Sequence, residues 1–88
     1  MRYPIVVEHG DETHAYGVVI PDLPGCFSAG DTLEEAFGNA KEAADGWVEC
    51  VLEDGTAIPK PSTMEEVAAL EEFKGWMVGS IDVDVPGE

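Results

Sequence analysis

Three groups of side chains in this sequence are of the types that do chemistry, and spacing alone allows each to be weighed. His9 and His14 bracket Asp11 and Glu12 in one polar stretch beside Gly10. Two imidazoles and two carboxylates could ligand a metal. Their spacing, however, matches neither a helix face nor a strand face, so a solvated turn is the expected role. Asp22, Asp31, Asp82 and Asp84 would suit two-metal nuclease chemistry if they converged within a few ångströms. In a chain of 88 residues with nineteen carboxylates, near neighbours arise by chance. Cys26 and Ser28 have no activating base close by in sequence. Cys26 and Cys50 form no C-x-x-C or metal-ligand pattern, and they read as reduced, small apolar residues. No catalytic, cofactor-binding or metal-ligating residue is therefore assigned, and no enzyme activity is expected.

Charge points elsewhere. Nineteen acidic residues face four basic ones (Arg2, Lys41, Lys60 and Lys74), for a net charge of −15. Nucleic-acid affinity rests on Lys and Arg contacts to phosphates. A chain with so few cations is a poor ligand for DNA, RNA or an acidic membrane. A basic protein is the natural partner, because complementary fields speed encounter and select partners. The plain alternative is that acidity only aids solubility. The opening residues carry no apolar stretch long enough for a signal peptide, and no run approaches a membrane span. With unpaired cysteines, this gives the expectation of a soluble, cytoplasmic protein.

The elements that must position these residues follow from patterning. Tyr3 to Glu8 and Ala15 to Ile20 are β-rich and flank a polar turn, which predicts an antiparallel hairpin. Pro21-Asp22-Leu23-Pro24-Gly25 ends the second strand, and Cys26 to Ala29 predicts a short third strand. Thr32-Leu33-Glu34-Glu35 is a capping box at the start of a long helix. Asp31, Glu34 and Glu35 complement the positive end of its dipole. Leu33, Ala36, Phe37, Ala40, Ala44, Trp47, Val48 and Val51 recur at helical spacing. Phe37 and Trp47 on that stripe therefore read as core rather than as stacking platforms for bases. Gly46 is a candidate for close packing against the sheet, and Asp54-Gly55 should stop the helix. Pro59 and Pro61 stiffen a linker. A second capping box, from Ser62 to Glu65, starts a short helix reaching Glu72 or Phe73. Gly75 to Val85 predicts the last strand, with Ile81, Val83 and Val85 on one face and Asp82 and Asp84 on the other. The order is β-β-β-α-α-β, an α+β domain whose sheet carries helix on one face and is open on the other. The whole of 1–88 reads as a single domain. An open face or edge on so small a domain invites self-association or a protein partner.

One segment is more specific than these patterns. Pro21-Asp22-Leu23-Pro24-Gly25-Cys26-Phe27-Ser28-Ala29-Gly30-Asp31-Thr32-Leu33-Glu34-Glu35-Ala36 resembles the signature of the HicB antitoxin family. The opening Arg2 to Glu8, Tyr16-Gly17-Val18, Asn39 to Ala43 and the linker Asp54 to Ser62 fit the same resemblance, which covers essentially the whole chain. It implies a partial ribonuclease H-like fold and a partner: HicA, a small basic toxin that cleaves messenger RNA and whose active site the HicB-like domain blocks. It also implies dimers or higher homo-oligomers. Many members of the family carry a C-terminal DNA-binding segment, and this sequence stops at Glu88 without one, so operator binding by this chain is not expected. Candidate partner-binding residues are Asp22, Asp31, Glu34 and Glu35. Two other classes remain open at this level: a degenerate metal-dependent nuclease, and a stand-alone regulatory or scaffold protein.

Overall fold

The computed structural model of the chain describes residues 1–10 and 15–85. Strands β1 (Arg2–Glu8), β2 (Tyr16–Val19) and β3 (Phe27–Gly30) lead into helix α1 (Leu33–Glu53). A short helix α2 (Met64–Ala68), a 3₁₀ turn (Glu71–Phe73) and strand β4 (Met77–Asp82) follow. The element order and the α+β class are those the patterning predicts. The four strands form one sheet in the order β3-β2-β1-β4. Every neighbouring pair is antiparallel, with Val6 opposite Val19, Val19 opposite Phe27, and Val6 opposite Val78.

Side-chain alternation divides the sheet into two faces. Tyr3, Ile5, Val7, Val18, Ile20 and Ile81 share the first face and join the main core. Helix α1 covers that face with Ala36, Ala40, Ala44 and Val48, all fully buried and spaced one turn apart. The small alanines let the helix lie close. Phe37 sits over Gly79, where an added Cβ would come within 3.0 Å of its ring.

The second face differs from the expectation of helix on one side only. Val6 and Val67 are both buried yet lie outside the main core cluster. Helix α2 packs against β1 and β4. By alternation Pro4, Val6 and Val78 belong to the second face, so α2 covers that half of it and leaves the β2–β3 half open. The physical reason is in β1 itself. Tyr3-Pro4-Ile5-Val6-Val7 is buried at every position, and a strand apolar on both sides needs cover on both sides.

Local details also shift. Thr32 caps α1, its Oγ1 accepting from the Glu35 N–H at 3.1 Å, which is one half of the expected capping box. The second capping box is one residue later than the sequence spacing suggests: Thr63 and Glu66 exchange both bonds. Ser62, the residue expected to cap, is held by Asp22 instead. Gly46 is exposed with nothing near it, whereas Gly30 makes the close approach, lying against the first turn of α1. The last strand is shorter than the run that predicts it, and Asp11, Glu12, Thr13 and His14 of the expected turn lie outside the described residues.

Candidate functional site

The four candidate carboxylates do not form one cluster. Asp31, Glu34 and Glu35 stand together where β3 turns into α1, all exposed. The Thr32 cap and the Gly30 contact fix this corner: an added Cβ on Gly30 would come within 2.8 Å of the Ala36 Cα. Asp22 lies in the β2–β3 loop, at the opposite end of β3. Its two carboxylate oxygens accept from Ser62, Oδ2 from the N–H at 2.8 Å and Oδ1 from the hydroxyl at 2.6 Å. Asp22 therefore fastens the linker before α2 to the loop after β2.

The loop is held from within as well. Leu23 N–H donates to the Ile20 carbonyl, Cys26 N–H to Leu23, and Ile20 N–H to Cys26. Trp47 Nε1 reaches over from α1 to donate to the Pro24 carbonyl at 3.0 Å. Leu23 and Cys26 are buried, and burial pushes the Cys26 thiol above its ordinary pKa. A protonated, buried thiol is a poor nucleophile. Cys50 is free and exposed on α1.

Asp82 and Asp84 belong to a separate structure. Lys41 Nζ donates to Asp45 Oδ2 at 3.1 Å and to the Asp82 carbonyl at 3.1 Å, and approaches Asp84 Oδ2 at 3.5 Å. Asp45 Oδ1 in turn accepts from the Asp84 N–H at 3.1 Å. This clamp ties the end of β4 to the middle of α1. The hydrogen bond that Lys41 donates to Asp45 is the main reason its pKa lies above the usual value. Beside the clamp is a shallow cleft of about 230 Å³ with Val48 and Leu52 on its floor and Asp45, Glu49 and Asp84 around it. Asp22, Asp31 and the Asp82–Asp84 pair thus occupy three different places. Among the described residues, no group of three His, Cys, Asp or Glu side chains is placed to hold a metal ion.

No charged side chain is buried among the described residues, so their carboxylates all contribute to an outward negative field. One surface combines that field with apolar area. Phe27 is 65% exposed. It shares the open half of the second face with Val19, and Glu8 borders them, its Oε2 about 4.0 Å from where a Cβ on Gly17 would stand. The sequence reading missed Phe27 because a lone phenylalanine in a short strand looks like core. Its register opposite Val19 and Val6 assigns it to the uncovered side. No helix of the described residues is long and apolar enough to cross a membrane.

Comparison with known proteins gives concordant results. The family described as the HicB_like antitoxin of bacterial toxin-antitoxin system matches residues 3–87. An uncharacterized 14.9 kDa protein from the rep-hol intergenic region of Haemophilus phage HP1 is 46% identical over 85 residues, 97% of this chain and 62% of its own length. The chain thus spans less than two thirds of that relative. Among solved structures, the N-terminal domain of Burkholderia pseudomallei antitoxin HicB is 37% identical with a TM-score of 0.82, covering 97% of this chain and 100% of that one. A chain of the HicA3 and HicB3 toxin-antitoxin complex is 28% identical with a TM-score of 0.79, covering 96% of this chain and 99% of that one.

Proposed function

This chain belongs to the HicB-like antitoxin family, and from that premise we propose that it binds a small basic HicA-type toxin in the cytoplasm and blocks its messenger-RNA-cleaving site. The observation that carries the reading is the field: a net charge of −15 on a domain that buries no charged side chain among its described residues. An RNA-cleaving protein needs a basic surface to hold its substrate. An acidic domain of this size competes for that same surface, and steering speeds its arrival. The similarity to a chain of the HicA3 and HicB3 complex supports the choice of partner.

We assign this steering to Asp31, Glu34 and Glu35, a choice supported by their exposure at one corner with little structural duty beyond the helix cap. Asp22 has both oxygens committed to Ser62, and its first role is to hold the loop. The chain acts as a binding module, as a dimer or higher oligomer of the single domain. The test is to co-express it with its cognate HicA-type toxin and follow RNA cleavage and affinity at low and high salt. Tight, salt-weakened binding that stops cleavage is the expected result. A folded chain that neither binds the toxin nor slows cleavage would refute the reading. Reversing Glu34 and Glu35 to Lys should slow association at low salt and flatten its salt dependence, with dissociation changed less.

A further inference from the structure

We propose that the toxin docks by adding an extended strand to the β3 edge, with an apolar side chain seated on Phe27 and Val19; this rests on the antitoxin reading and names its surface. The row Phe27–Val19–Val6–Val78 crosses the whole sheet on its second face. Helix α2 covers the β1 and β4 end of that row and leaves Phe27 65% exposed at the other end. An exposed phenylalanine beside a half-buried valine is a ready apolar anchor.

The edge of the same strand is open. The Ile20 N–H donates to the Cys26 carbonyl, while the Cys26 N–H turns to Leu23; the single cross-strand bond still fixes the Cys26 carbonyl as facing β2. Alternation along the antiparallel ladder then turns the peptide groups of Phe27 and Ala29 away from β2. Asn39 on α1 confirms the direction, its Nδ2 donating to the outward Ala29 carbonyl at 2.8 Å. That bond occupies one outward group and leaves the N–H groups of Phe27 and Ala29 facing out. An extended segment can pair with such an edge while its alternate side chains reach the face beside it.

Charge selects the occupant. The strip runs between Glu8 on the face and Asp31, Glu34 and Glu35 at the end of β3. A second copy would bring another −15 to an already acidic border, whereas a basic strand would relieve it. An apolar centre with an acidic rim therefore fits an apolar-basic segment of the toxin.

The experiment uses the whole chain and its cognate HicA-type toxin carrying an inactivating active-site substitution. Amide exchange is measured on this chain free and bound. The Phe27 and Ala29 amides should exchange freely alone and slow by about tenfold or more in the complex. Phe27→Asp keeps the acidic field and should weaken binding by about tenfold or more, as should Ala29→Pro, which removes an outward donor that β2 does not use. Leu52→Asp, on the far part of α1, should bind as the unaltered chain does. A complex that forms with both amides unprotected, or with undiminished affinity in Phe27→Asp, would overturn the docking proposal while leaving the antitoxin reading intact. Protection of the same amides by self-association without toxin would assign the edge to a second copy and overturn it too. Failure of the unaltered chain to bind toxin would overturn both.

Discussion

Gly30 shows how one missing side chain sets the geometry of the acidic corner. Its Cα lies against the first turn of α1, where an added Cβ would meet backbone rather than a flexible side chain. Gly30→Ala should therefore cost about 1–3 kcal/mol, as overpacking does, read as a lower urea midpoint. The sequence carried this glycine inside a recognisable string, but only the fold shows what it touches. The cysteines divide in the same way. Cys50 should react with a thiol reagent at neutral pH, and Cys26 only on unfolding, which a timed thiol count would resolve. Burial raises the Cys26 pKa above 9.0, so the fold favours the protonated thiol. Its effect on stability is constant below that value, and stability falls as pH rises through it, because the unfolded chain loses its proton first. Lys41, raised above 10.5 chiefly by its bond to Asp45, contributes below that pH and loses its contribution as the amine deprotonates. Comparing unfolding midpoints from pH 8 to pH 10 (about the range the ordinary thiol value brackets) in the natural chain and Cys26→Ala should show a flatter profile in the variant.

At the scale of elements, the long helix was legible because cap, stripe and terminating glycine agree on it. Its buried positions Ala36, Ala40, Ala44 and Val48 lie on the predicted stripe, while Leu33 at its start is 37% exposed. The short helix was legible in kind, but it ends at Ala68 with a separate 3₁₀ turn over Glu71–Phe73 rather than reaching Glu72 or Phe73, and its cap was misplaced by one residue, because Ser62 and Thr63 each have a glutamate three positions on. Asp22, forty residues away in the chain, decides between them by claiming Ser62. Thr63→Ala should cost about 1 kcal/mol through loss of the cap. The placement of α2 was harder to read, although the unbroken apolar run in β1 was its signal. Val67 is the buried residue of this helix, and Val67→Ala should cost about 1–2 kcal/mol with its effect centred on β1 and β4. Thermal unfolding of the two variants checks both values. The candidate interface was least legible, since exposure of Phe27 depends on which half of a sheet face a distant helix chooses to cover.

For the molecule as a whole, charge and packing pull against each other. A net charge of −15 on 88 residues repels itself in the compact state. Added monovalent salt should therefore raise the unfolding midpoint of the free chain while weakening its hold on a basic partner. Opposite slopes in the two measurements, made in one buffer series, are the expected result; parallel slopes would mean that charge does not govern the association. The order β3-β2-β1-β4 carries one more consequence. The strand at the centre of the sheet is among the first synthesised, yet its second neighbour is β4, whose register pairs Arg2 with Asp82. Until a ribosome has delivered Met77 to Asp82, β1 can have β2 on one side and nothing but an open edge on the other. Such long-range closure is slow compared with local hairpins. A nascent or prematurely released chain thus offers proteases the most apolar strand of the protein, whereas the finished one hides it between two neighbours. Exposure of newly made protein to proteases therefore depends on the time from synthesis to strand closure as well as on the stability of the finished fold.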